Sequence, residues 1–390
     1  MRGYYMLKHP ELLRIPGPTP IPPRVQQAMN QPMIGHRGEE AKQLLQDIRH
    51  KLKHVFGTEE EVMILTSSGT SALEAAVVNC VSENDEVLVI VAGAFGDRFA
   101  NICESYRLNV HRLNVEWGQA VDPDDVKQML IKHPSIKAVF ATYCETSTSV
   151  LHPVKEISQV VHEHSDALMI VDGVSAVGGV ETNMDDWGVD VFVSGSQKAF
   201  MLPAGLSFIT MSERAQKIAT NNQQPRFYLD VLKHRDQLQE NSTPFTPGLS
   251  LLMGLQEVLT MFEEEGLDNV YRRHLLMKEM TRAALKALNI PLLVGDDHAS
   301  PTVTAFMPVD VDADLLRQTL NNEFGLVLAG GQQHLKGKII RMGHMGYCSP
   351  AHVLQMISLL EIGLKKLNKN ITLGQGVAAA QDIYITSEEA

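Results

Sequence analysis

Four segments of the 390-residue chain place reactive side chains directly after short apolar runs. Lys198 follows Val191-Phe192-Val193 and the turn Ser194-Gly195-Ser196-Gln197, among apolar neighbours that would strip water from its amine. A lone lysine after a strand is ordinarily a solvated loop residue, so its reading depends on what accompanies it. Asp172 ends the run Ile170-Val171 and stands 26 residues before Lys198, room for one crossover and the next strand. Its carboxylate would lie at the carboxyl edge of a sheet, where α/β proteins bind ligands; a turn or helix-capping aspartate is the plain alternative. In Thr66-Ser67-Ser68-Gly69-Thr70-Ser71, small hydroxyl residues and a glycine open a helix. Backbone N–H groups at the helix N-terminus can therefore point at an anion, assisted by the helix dipole. The segment lacks the Gly-Lys-Ser/Thr ending of a nucleotide-binding loop, which disfavours nucleoside triphosphates; a serine-rich N-cap is the alternative. Phe95, in Ala94-Phe95-Gly96-Asp97-Arg98, offers a flat ring that could lie on a planar heteroaromatic or simply fill the core.

An amine, a carboxylate, a phosphate cradle and a ring at one sheet edge are what pyridoxal 5'-phosphate requires. The amine forms the Schiff base, the carboxylate keeps the pyridine nitrogen protonated, and the cradle holds the phosphate.

These groups need elements to position them. Apolar runs at 62–66, 86–91, 136–142, 167–171, 189–194 and 206–210 alternate with polar turns and amphipathic stretches. Several lack in–out alternation, as expected when helices cover both faces, so the pattern predicts a mostly parallel α/β sheet sandwiched by helices. Asp122-Pro123-Asp124-Asp125 supplies an N-cap, a proline and acid for a helix to about 132, and Pro153 opens another. Residues 223–246 read as an extended or partly helical excursion. Long helices are expected over 249–265 and 267–288, short strands over 302–307 and 338–342, a helix over 312–323 and a last helix over 351–366, with a mobile tail from 381. The expected domains are an N-terminal arm (1–20), a large cofactor-binding α/β domain (21–262) and a small C-terminal α+β domain (263–390).

Composition sets limits. With 34 Lys plus Arg against 46 Asp plus Glu, the net charge is −12, which argues against nucleic acid or an anionic membrane as partner. No apolar run approaches a membrane span, and the charged start lacks a signal-peptide core, so a cytoplasmic protein is expected. Cys80, Cys103, Cys144 and Cys348 are widely spaced reduced thiols. His162-Glu163-His164 ends a helix with no convergent ligands, so no metal site is read; Gly374, Gly376 and Ala379 match a dinucleotide motif without a following βαβ unit and are set aside.

The chain resembles the class V aminotransferases of fold type I, the alanine–glyoxylate and serine–pyruvate aminotransferase group above all. The likeness runs through Pro16-Gly17-Pro18-Thr19-Pro20, Gly35-His36-Arg37, residues 67–74, Phe95-Gly96-Asp97-Arg98, Glu145-Thr146-Ser147-Thr148, Val171-Asp172, residues 194–198, residues 243–247 and Ile340-Arg341-Met342-Gly343. It implies that Lys198 carries the cofactor and Asp172 pairs with its pyridine nitrogen. Ser68, Gly69, Thr70 and Gln197 would hold the phosphate, with Thr246 reaching in from the other subunit of a homodimer. Phe95 and Val174 would pack on the two ring faces, Thr146 would contact the ring hydroxyl region, and Arg341 would bind the substrate α-carboxylate. Tyr143 and Ser149 stand where relatives often carry His and Gly, which bears on the pocket wall.

The resemblance implies a ping-pong transfer of the amino group of alanine or serine to glyoxylate or pyruvate. His36-Arg37 keeps phosphoserine or aspartate open as donor, since phosphoserine aminotransferases carry such a pair. A cysteine desulfurase is disfavoured because Gln197 replaces the usual histidine and Cys348 follows Arg341. A non-catalytic regulator would need a basic domain ahead of the matched region.

Overall fold

The computed structural model describes residues 11–388. Seven strands form the central sheet: β1 (Val62–Leu65), β2 (Glu86–Val91), β3 (Asn109–Asn114), β4 (Ala138–Thr142), β5 (Leu168–Asp172), β6 (Val191–Gly195) and β7 (Ser207–Met211). Their order is β1-β7-β6-β5-β4-β2-β3. The pairs from β6 to β3 are parallel, whereas β7 is antiparallel to both neighbours. Consequently β1 runs with β6, and six strands share one carboxyl edge.

Every residue of β1, β4, β5, β6 and β7 is buried, which explains apolar runs without alternation. Successive side chains still divide between two cores: Ile64, Val139, Val171, Phe192 and Phe208 enter one, and Leu65, Phe140, Ile170, Val193 and Ile209 the other. The sequence reading missed β3. As the outer edge strand it is half-exposed, and Asn109-Val110-His111-Arg112 contains no apolar run.

A third core joins Met277, Phe306, Leu316, Ile340, Met342, Met356 and Leu360. It carries a small antiparallel sheet of β8 (Val303–Phe306), β9 (Ala329–Gly330) and β10 (Ile340–Gly343), with β10 central. Leu12–Leu13 pairs in parallel with Leu326–Val327, which ties residues 12–13 to this unit; residues 1–10 of the expected N-terminal arm lie outside the described residues.

The excursion at 223–246 is partly helical, as expected: it contains the helix Val231–Gln239, anchored by buried Val231, His234 and Leu238. The expectation for the C-terminal end is corrected. The helix ending at Lys366 is not the last, and the stretch expected to be mobile is helical over Gln375–Glu388. Buried Ala380 fixes it to the third core, and the buried Glu361 carboxylate accepts the Gly374 and Gly376 amides at 2.6 and 2.7 Å. Those glycines, set aside as a dinucleotide motif, thus serve a capped helix start. Among the described residues, no helix is long and apolar enough to cross a membrane.

Candidate active site

Lys198 follows β6 through a turn held by Ser196, whose amide donates to Leu206 O at 3.0 Å and whose hydroxyl donates to Pro203 O at 2.6 Å. Its side chain is 7% exposed, and Nζ donates to the carbonyl oxygen of Pro16. The N-terminal segment therefore lies directly over the amine. Thr19 secures it, donating from its amide to Gln197 O at 3.1 Å and from Oγ1 to Lys198 O at 2.8 Å. Gly17 is needed for this approach: at φ +109°, a Cβ there would lie 2.7 Å from Nζ. Burial lowers the amine pKa to about 8; Arg341 and Arg98 push the same way, against Cys144 and Asp172.

Asp172 is the last residue of β5 and 4% exposed. Its Oδ1 accepts the Val174 amide at 2.9 Å. Burial raises the carboxyl pKa to about 6, opposed by that amide and by Lys198 and Arg98. A cation set against this carboxylate would favour its charged form.

At the end of β1, Ser68 is the N-cap of helix Gly69–Cys80 but makes no side-chain cap hydrogen bond. A Cβ on Gly69 would approach Val174 Cγ2 to 3.0 Å, so glycine lets the helix start close on the turn after Asp172. Thr70, Val174 and Gln197 are half-buried. Gln197 Oε1 is buried without a hydrogen-bond partner among the described residues, and it would lie 3.0 Å from a Cβ on Gly195. A helix start with no side-chain cap leaves backbone N–H donors for a phosphate group, and Gln197 would serve it through its Nε2 hydrogens rather than through Oε1, which only accepts.

Phe95 lies in the first turn of helix Ala94–Ser105, half-buried, with Arg98 Cζ 4.8 Å from its ring centroid. The sequence reading quoted Glu145 only as part of a motif and missed its task here. Its buried carboxylate accepts the Phe95, Gly96 and Ser147 amides at 3.1, 3.0 and 3.2 Å and the Ser147 hydroxyl at 2.5 Å. It thereby neutralises the helix start that carries Phe95. Burial raises its pKa, against the Ser147 hydroxyl and the amides. A lone acid in a polar run gave no sign of a partner fifty residues away.

Thr146 is buried, with Oγ1 2.5 Å from Ser175 Oγ. Arg341 enters from β10, 6% exposed; Nε donates to Gly330 O and Nη1 to Thr146 O, each at 2.9 Å. Burial lowers its pKa to about 10, which leaves it cationic at neutral pH. Thr246 is not drawn into this group within the chain. It is exposed, near Gly248, whose amide donates to Thr66 Oγ1 at 2.9 Å. Arg37 donates to Ser242 Oγ and Thr243 O, each at 2.5 Å, and so braces the same turn.

The remaining polar candidates are structural. His162 Nε2 lies 2.6 Å from Gly188 O. Cys348 is buried and its thiol pKa is raised by burial, the opposite of what a sulfur nucleophile needs.

The family model of class-V aminotransferases matches residues 12–349. The chain is 42% identical over 380 residues to the soluble hydrogenase small subunit of Synechococcus sp. (strain PCC 6716), covering 96% of this chain and 99% of that one. It is 36% identical over 387 residues to serine–glyoxylate aminotransferase of Hyphomicrobium methylovorum, covering 95% and 94%. The crystal structure of ureidoglycine–glyoxylate aminotransferase from Bacillus subtilis superposes with a TM-score of 0.90 at 30% identity, covering 97% and 99%.

Proposed function

The chain belongs to the class V aminotransferase family and is a pyridoxal-phosphate-dependent transaminase, and from that premise we propose that it moves the amino group of alanine or serine to glyoxylate or pyruvate at Lys198. The observation that carries the site assignment is that buried Asp172 and Lys198 stand at the carboxyl ends of the adjacent parallel strands β5 and β6, with buried Arg341 hydrogen-bonded to Thr146 on the loop after β4. Glyoxylate as acceptor draws support from the names of two relatives, serine–glyoxylate and ureidoglycine–glyoxylate aminotransferase.

When bound, pyridoxal phosphate supplies a carbonyl that condenses with amines and a pyridine ring that accepts electrons from the substrate Cα. The protein's residues do the rest. Ser68, Gly69, Thr70 and Gln197 would hold the phosphate. Phe95 and Val174 would pack on the ring, Thr146 would contact its hydroxyl region, and Asp172 would keep a proton on its nitrogen. Arg341 spends Nε and one Nη1 hydrogen on main-chain oxygens, leaving the Nη1–Nη2 fork for a substrate carboxylate. Lys198, with its pKa lowered to about 8, is neutral often enough to take the Cα proton and return one. The segment from Pro16 to Thr19 excludes water from that amine.

A homodimer follows from the same reading, with Thr246 of each chain completing the other's phosphate site. Exposed Phe227, its ring 5.6 Å from Phe245, gives the neighbouring surface an apolar face for a second copy. Arg37 braces the turn before Thr246, which supports a positioning task for His36-Arg37 over a phosphoserine contact. A donor panel of alanine, serine, aspartate and phosphoserine against glyoxylate and pyruvate tests the choice. Alanine or serine should give the highest kcat/KM, and preference for either other donor overturns it.

A further inference from the structure

Away from this site, three ligating side chains meet on the other side of the sheet's outer edge. Glu86 begins β2, His111 lies on β3, and His133 is the C-cap of helix Pro123–Lys132. The register explains the meeting: Glu86 pairs with Asn109 and Leu88 with His111, so Glu86 and His111 are diagonal neighbours on one face. His133 comes down on them from the helix, its ring centroid 4.0 Å from that of His111 at an interplanar angle of 32°. His111 Nε2 lies 2.8 Å from Glu86 Oε2, and one ligand atom from each residue lies within 4.8 Å of the others. All three residues are half-buried.

We propose that Glu86, His111 and His133 bind one divalent transition-metal cation of the zinc class. Two imidazoles and a carboxylate leave a fourth position for water, the ligand set of a tetrahedral site. Bonds of about 2.0–2.1 Å would place ligand atoms about 3.3 Å apart, so the empty site closes by small rotations of half-exposed side chains. Imidazole ligands select zinc, cobalt, nickel or copper over magnesium and calcium. The ion would tie β2, the edge strand β3 and the turn before β4 together, stabilising the folded state in proportion to its occupancy. Positions 86, 111 and 133 form no motif in the sequence: the sheet register brings the first two together and the helix end adds the third.

The test is calorimetric titration of chelator-treated holoenzyme with zinc chloride, and in parallel with magnesium chloride. One zinc per chain should bind at micromolar concentration or tighter, and magnesium should not. His111→Asn and Glu86→Gln should each weaken zinc binding at least tenfold while transaminase rate and circular dichroism stay unchanged. Cobalt should give a visible tetrahedral band that His133→Asn removes. Absence of one-equivalent zinc binding, or undiminished affinity in the correctly folded variants, overturns the proposal.

Discussion

Arg341 Nη1 donates to the main-chain oxygen of Thr146 at 2.9 Å, which fixes a guanidinium from the small antiparallel sheet on the loop that follows β4. The proposed carboxylate anchor and a proposed cofactor contact are thus one hydrogen-bonded unit, and a substrate would find the anchor already oriented. Arg341→Lys keeps the charge but loses the planar fork. Losing a charge-assisted hydrogen bond of about 1.5–3 kcal/mol should reduce kcat/KM for the amino donor roughly ten- to hundredfold. Cofactor affinity should hold, as steady-state kinetics and a cofactor titration would show.

Asp172→Asn removes the charge that would face the pyridine nitrogen. Two unit charges about 4 Å apart at an effective dielectric of about 20 interact by about 4 kcal/mol, equivalent to about a thousandfold in rate. Single-turnover measurement should find that loss in the chemical step, with pyridoxal phosphate still bound.

Gly17→Ala tests the lid over Lys198. A Cβ 2.7 Å from Nζ at a left-handed φ costs about 1–2 kcal/mol in backbone alone and displaces the amine. Turnover should fall at least tenfold, whereas Gly35→Ala, with no atom within 4 Å of the added carbon, should leave it unchanged.

Burial that lowers the Lys198 pKa to about 8 has a kinetic consequence in cofactor-free protein. The neutral amine attacks the cofactor carbonyl, so uptake should accelerate as pH rises through about 8 and level off above it. An inflection near the ordinary lysine value of about 10.4 would show that the amine is solvated.

Much of this arrangement was legible in sequence because it depends on local pattern. Asp172 and Lys198 end buried strands whose apolar runs announce them, and Ser68-Gly69-Thr70 announce a helix start. What remained hidden depends on register and distance along the chain. Strand β3 is too polar to recognise, and Glu145 reaches back to the Phe95 and Gly96 amides. Glu145→Gln would turn an amide donor toward those donors, and loss of about 1–3 kcal/mol should lower the thermal unfolding temperature.

The central claim is that Lys198 performs amino transfer with a small donor. It is tested most directly by mixing pyridoxal-phosphate-loaded protein with L-serine or L-alanine, without acceptor, and quantifying pyridoxamine phosphate by chromatography. Wild-type protein should convert its cofactor stoichiometrically, releasing the matching 2-oxo acid, and Lys198→Ala should not. Unchanged cofactor in the wild type with both donors, or equal conversion by Lys198→Ala, would contradict the account.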